Sequence, residues 1–298
     1  MKDSPIVAFA KAVIKGFGQV MLQGNVWTGL LFIGAIFYDS TLMGVAAVVS
    51  NIIGTLTARV AGFKQEDIEE GLYGFNATLV GVALVFYFQQ NVWVWLAIAI
   101  GSVLATLFMG WGVKKKIPLF TFPFIAVTWI ALYVLSIPGL ALESVPGHFV
   151  DIKAMDDFLI EGHAFGEVMF QGSITAGVIF FIGVFLSSPI GALYGLFAVL
   201  ISVSISHGMN ESQELITEGL MSFNAVLCGI ALAGPKVKDG IYVLIAVVLS
   251  TYIDHLMIQY GWTTLTFPFV FATWIVVLLK KGEEKFLPNV GKEVSDNA

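Results

Sequence analysis

Charged residues fall in short clusters along the chain, and long apolar stretches run between them. In the first half these are Val26 to Tyr38, Leu42 to Val60, Leu72 to Phe88, Val92 to Val113 and Leu119 to Ile137. In the second half they are Ile174 to Leu186, Ile190 to Ile205, Leu220 to Ala233, Ile241 to Ile258 and Leu265 to Leu279. A helix that crosses a bilayer needs about 20 mostly apolar residues, so each stretch is read as a span. Two further segments, Pro5 to Leu22 and Met155 to Phe170, are apolar but carry charges, and each ends in Gln-Gly just before a span. They are too polar at one end to cross alone, which predicts half-depth, re-entrant helices. The first residues lack a short apolar core followed by a small-residue cleavage site, so the N-terminal segment is expected to stay.

The pattern repeats. Gln19-Val20-Met21-Leu22-Gln23-Gly24 recurs as Glu167-Val168-Met169-Phe170-Gln171-Gly172, at an offset of 148. Glu69 to Leu84 recurs as Thr217 to Leu232 at the same offset, identical at ten of sixteen positions. Thr121 to Trp129 (TFPFIAVTW) recurs as Thr266 to Trp274 (TFPFVFATW) at offset 145, identical at six of nine. Three matches in one order mark a duplicated unit of five spans plus one half-helix, with residues 1–145 as the first copy and 146–298 as the second. Five is odd, so the second copy is expected upside down. Charge tests this separately, because Lys and Arg favour cytoplasmic loops. With the N-terminus inside, fourteen of the fifteen basic residues fall inside and only Lys153 falls outside. The expected architecture is an all-α membrane protein of two inverted repeats, both termini cytoplasmic, with a pore where the copies meet.

Composition agrees. Of 298 residues, 57% are hydrophobic and 12% charged, with a mean hydropathy of +0.87. A soluble domain carries about 25% charge, so a soluble enzyme and a disordered chain are excluded. The net charge of −6 offers no basic face for nucleic acid. A lone cysteine, Cys228, excludes a disulfide framework or a cysteine metal cluster.

Residues near the repeat interface are the candidates for a pathway. A carboxylate at membrane depth is costly and usually faces an interior cavity. Gln19 and Glu167 therefore read either as acceptors for a solute carrying N–H donors or as helix-terminus caps. Thr121-Phe122-Pro123-Phe124 and Thr266-Phe267-Pro268-Phe269 each put a proline in an apolar segment. A proline inside a helix strips a carbonyl one turn earlier of its partner. Carbonyls around Ile117 to Leu119 and Thr263 to Leu265 are then expected to line a pore, unless the prolines are ordinary kinks. Phe75 with Leu79, and Phe223 with Leu227, share a helical face at i, i+4 that suits a flat solute. Asn76 and Asn224 read equally well as ties between helix ends. His148, His163, His207 and His255 lack histidines at their repeat partners, which argues against metal or proton relay. Glu66, Asp67, Glu69 and Glu70 read as a solvated loop. No phosphate loop or hydrolase triad appears.

The duplicated TFPF segments and the paired Gln-Val and Glu-Val motifs resemble those of urea transporters, in particular the bacterial members, across the whole chain. The resemblance implies a homotrimer in the bacterial cytoplasmic membrane with one pore per protomer and no cofactor. It implies a filter of two aromatic slots edged by acceptor oxygens and a narrow middle zone. Matched by motif, Gln19, Val20, Glu167 and Val168 are the half-helix contributions, and Phe75, Leu79, Phe223 and Leu227 the slot walls. Thr121 and Thr266 match the middle threonines, ahead of Thr128 and Thr273. A Phe is expected three residues after both the Gln and the Glu. Phe170 fits, but Leu22 departs, which leaves one slot with an aliphatic wall.

The implied activity is passive, single-file flow of urea, with small amides such as formamide as further candidates, and no enzyme activity. The alternatives are a proton-coupled transporter using Glu167, an ammonium channel, which would need paired pore histidines, and a formate channel.

Overall fold

The computed structural model describes residues 4–144 and 157–286, with side chains from residue 160 to 283 in the second stretch. Lys2, Lys153, Lys292, His148, Met155, the Lys285 side chain and the junction at 145/146 lie outside the described residues.

The described residues form fourteen helices. The first half holds α1 (Pro5–Gln19), α2 (Val26–Asp39), α3 (Thr41–Val60), α4 (Gln65–Glu69), α5 (Phe75–Tyr87), α6 (Val92–Lys115) and α7 (Phe122–Leu135). The second holds α8 (Asp157–Glu167), α9 (Ile174–Ser187), α10 (Pro189–Gly208), α11 (Gln213–Thr217), α12 (Phe223–Leu232), α13 (Val237–Gln259) and α14 (Phe267–Phe286). Every predicted span and both half-helices correspond to a helix. The acidic loop near Glu66 instead winds into α4, and its end is tied down: Lys15 Nζ pairs with Glu70 at 2.8 Å.

Four helices, α3, α6, α10 and α13, are long and apolar enough to cross a membrane. Their starts reflect capping: Ser40 accepts from the Met43 amide, and Asn91 from those of Trp93 and Val94. By contrast α5 and α12, with 13 and 10 residues, are too short for the ~30 Å hydrocarbon layer. They are buried on all sides instead, as expected of helices apolar around their whole circumference. Helices α1, α3, α6 and α7 enclose α5, and α8, α10, α13 and α14 enclose α12.

One expectation is corrected. Pro123 and Pro268 sit in the first turn of α7 and α14, not inside a helix. A first-turn N–H has no intrahelical acceptor, so proline starts these helices at no hydrogen-bond cost instead of kinking them.

Packing within one half is duplicated in the other: α1 on α2 as α8 on α9, α3 on α5 as α10 on α12, α6 on α7 as α13 on α14. Between halves, equivalent helices meet each other, α2 on α9 and α7 on α14. Equivalent rings meet too, Phe32 and Phe180 edge to face at 4.8 Å. Trp129 stacks near Phe267 at 5.5 Å while Trp274 stacks near Phe122 at 5.2 Å, a reciprocal pair.

Candidate functional site

The ends of the two half-helices are built alike. In α1 the amides of Leu22 and Gln23 bond the carbonyls of Gln19 and Gly18, both at 2.9 Å. In α8 the amides of Phe170 and Gln171 bond those of Glu167 and Gly166, both at 3.1 Å. This is the Schellman arrangement, which needs one left-handed residue and usually takes glycine. Here it takes Leu22 (φ 62°) and Phe170 (φ 58°). A left-handed residue with a Cβ costs on the order of 1 kcal/mol, so this backbone strain holds a bulky side chain just beyond each half-helix. A Cβ on Gly18 or Gly166 would come within 2.3 Å of the carbonyl of Gln23 or Gln171, so only glycine lets the chain fold back there.

At the seam the hydroxyls of Thr121 and Thr266 are hydrogen-bonded to each other at 2.7 Å, and both residues are buried. The amide of Asn76 donates to the Phe120 carbonyl at 3.2 Å and accepts from the Phe124 amide at 3.0 Å. Asn224 does the same for Leu265 and Phe269, at 3.1 and 3.2 Å. Both asparagines thus tie a helix to the turn before α7 or α14. The expected run of free carbonyls is corrected accordingly. Pro118 and Thr263 each accept an indole N–H, from Trp274 at 2.6 Å and Trp129 at 2.9 Å, and Leu119 and Thr264 close turns to Phe122 and Phe267.

A cavity of about 80 Å³ opens beside this seam. Its lining includes five of the residues read from sequence: Glu167, Val168, Phe170, Phe223 and Thr266. The face of Phe170 is framed by other rings, Phe86 at 5.2 Å and Tyr87 at 6.1 Å. The wall is therefore aromatic and aliphatic, with carboxyl and hydroxyl oxygens at its edge. Room for a few water-sized groups and a few convergent polar atoms is the form small-solute sites take.

The remaining candidates lie apart from this cavity. Thr121 reaches it through Thr266. Gln19 donates its Nε2 to the Glu70 carbonyl at 2.8 Å, which leaves its oxygen as an acceptor, and Leu22 is partly exposed beyond it. Val20, Phe75, Leu79 and Leu227 are buried in the core.

Sequence reasoning missed Phe86, Tyr87 and Leu220, which complete the lining with Thr264 and Leu265 from the segment expected to face a pore. Phe86 and Tyr87 face Gly234 and Pro235 in the repeat, so duplication gave no signal for them. Leu220 lay inside the repeated EGL string and was available. Of the histidines, His255 pairs with Glu211 and His163 is buried within α8.

Helices long and apolar enough to cross a membrane, packed about an oxygen-edged cavity, are the build of a solute transport protein. The family model for urea transporters matches residues 10–281. The chain belongs to the urea transporter family, and is a transporter and not an enzyme. It is similar to urea transporter 1 of Rattus norvegicus, 25% identical over 311 aligned positions covering 94% of this chain and 79% of the relative. It is likewise similar to urea transporter 1 of Ovis aries, 26% identical over 315 positions with the same coverage. These relatives are mammalian, whereas the resemblance read from the motifs is to bacterial members.

Proposed function

We infer that this chain conducts urea passively, through a slit between two inverted copies of one module. The carrying observation is the cavity at the seam, walled by Phe170, Phe223 and Val168 and edged by Glu167 and Thr266, in a chain of this family. Urea is flat and neutral, with N–H donors along two edges. Entering a dry site it loses water partners, and each unreplaced hydrogen bond costs about 1–3 kcal/mol. Rings and aliphatic groups cover its faces, while Glu167, Thr266 and Thr121 accept from its edges. An ion finds no full replacement for its hydration there and is refused.

The matching turn of α1 forms the second slot, with Gln19 as acceptor and Val20, Leu22, Phe75 and Leu79 as its wall. Leu227 backs Phe223 in the first. The reciprocal contacts between equivalent residues support a two-fold axis relating the copies, as an interface between like elements requires. Five crossings per copy, with α5 and α12 completing theirs through the turns that flank them, put that axis in the membrane plane. Both termini are then cytoplasmic, in the inner membrane of a bacterium, and the family resemblance supports a homotrimer.

Stopped-flow light scattering on reconstituted liposomes tests this. Urea flux well above protein-free vesicles, unchanged when an ionophore collapses the pH gradient, is expected. Flux that follows the pH gradient, or ammonium passing faster than urea, rejects passive urea conduction.

A further inference from the structure

Asp254 is wholly buried on α13, and nothing above uses it. Its Oδ1 accepts from Asn224 Nδ2 at 3.1 Å, and its Oδ2 has no hydrogen-bond partner among the described residues. The titratable neighbour on the same helix, His255, turns instead to Glu211 on the α10–α11 connection. In the register of the two left-handed helix ends, Lys116 after α6 and Gly261 after α13, Asp254 stands where the first half has the buried Met109. A carboxyl at that depth is expensive to keep, and such groups are by default functional.

Asn224 connects this carboxyl to the cavity. The Nδ2 that bonds Asp254 also donates to the Leu265 carbonyl at 3.1 Å, and the amide oxygen accepts from Phe269 N–H. Leu265 lines the cavity in a left-handed conformation, φ 46°, and Thr266 follows it. A strained turn persists only where its surroundings hold it. One turn earlier on α13, Thr251 bonds Ser202 at 2.9 Å, and Ser202 donates to the Met221 carbonyl at 2.6 Å, next to the lining residue Leu220. One helix thus ties down two of the backbone segments of the wall. In the first half Thr106 reaches the Tyr73 carbonyl directly, past Gly54, and Asn76 makes its two bonds opposite a methionine.

We propose that Asp254 is a positioning residue for the solute: by taking one Asn224 amide hydrogen it locks that amide onto Leu265 and Phe269 and fixes the turn that forms the cavity wall. The role is specific to the second-half slot and makes the two slots differ in affinity. It rests on the urea-channel reading.

The test measures flux against urea concentration in liposomes for wild type, Asp254→Asn, Asp254→Met and Asp254→Ser, with thermal melting of each protein in detergent. Asparagine keeps an acceptor oxygen at the same reach, methionine is the first-half residue, and serine is too short to touch Asn224. Asp254→Asn is expected within about twofold of wild type. Asp254→Met and Asp254→Ser are expected to raise the half-saturating urea concentration about tenfold, the weight of one hydrogen bond to a buried group. Adding Asn224→Ala to Asp254→Met is expected to change nothing beyond Asn224→Ala alone. Unchanged half-saturation in Asp254→Met or Asp254→Ser overturns the proposal, as does Asp254→Asn failing as badly as Asp254→Met. If Asp254→Met does not assemble, Asp254→Ser decides. A wild type that carries no urea overturns the channel reading itself, a separate outcome from a conducting wild type that its variants match.

Discussion

Trp274 donates its indole N–H to the carbonyl of Pro118, 156 residues earlier in the chain, while Trp129 donates to Thr263, the equivalent of Pro118 in the other half. The two bonds cross the seam in opposite directions. Each caps a carbonyl in the turn before α7 or α14. Trp274→Phe and Trp129→Phe each keep an apolar ring but lose the donor. Each is expected to cost about 1–2 kcal/mol of stability, seen as a lower Tm in detergent. Equal losses for the two variants are the signature of reciprocity, and no loss in either means the bonds do not hold the seam.

Glu167→Ala removes the one carboxyl at the cavity edge without touching the Schellman turn, whose bonds are backbone. Urea flux is expected to fall at least tenfold while melting and monodispersity in detergent stay near wild type. Full flux in stopped-flow assays excludes the carboxyl from the path.

Thr121→Val leaves the Thr266 hydroxyl without its partner at 2.7 Å. A single lost hydrogen bond of about 1 kcal/mol predicts a flux several-fold lower. Thr266→Val, which also changes the cavity lining, is expected to be the worse of the two in the same assay.

Gly18→Ala and Gly166→Ala each drive a methyl to within 2.3 Å of a backbone carbonyl. Backbone cannot swing aside as a side chain can, so a loss of about 2–4 kcal/mol is expected. Thermal melting and the yield of folded protein read this out. Gly34→Ala, with open space around it, is the neutral control.

Leu22→Phe gives the slot proposed at α1 the ring that Phe170 gives the cavity at α8, at a backbone position of the same hand. An added aromatic contact is worth about 0.5–1.5 kcal/mol, so the half-saturating urea concentration is expected to drop by a few-fold.

Hydrophobic period and duplication carried the helices well, because a span is a local property of composition and its copy confirms it. Five cavity residues were legible for the same reason: Glu167, Val168, Phe170, Phe223 and Thr266 all sit in repeated strings. Phe86 and Tyr87 were not, since Gly234 and Pro235 occupy their places in the other copy. The prolines were misplaced by one turn because sequence shows that a proline interrupts apolar residues, not whether the helix has begun. Asp254 was passed over for the opposite reason: beside His255 and near a helix end it reads as surface, and only packing by Asn224 reveals it as interior.

In the proposed conduit the two ends are furnished differently, with Leu22 at one and Phe170 at the other. A passage driven by nothing but concentration obeys detailed balance, so this lopsidedness never makes it a pump. It decides only at which doorway a traveller lingers, and therefore from which face an inhibitor finds the route already taken.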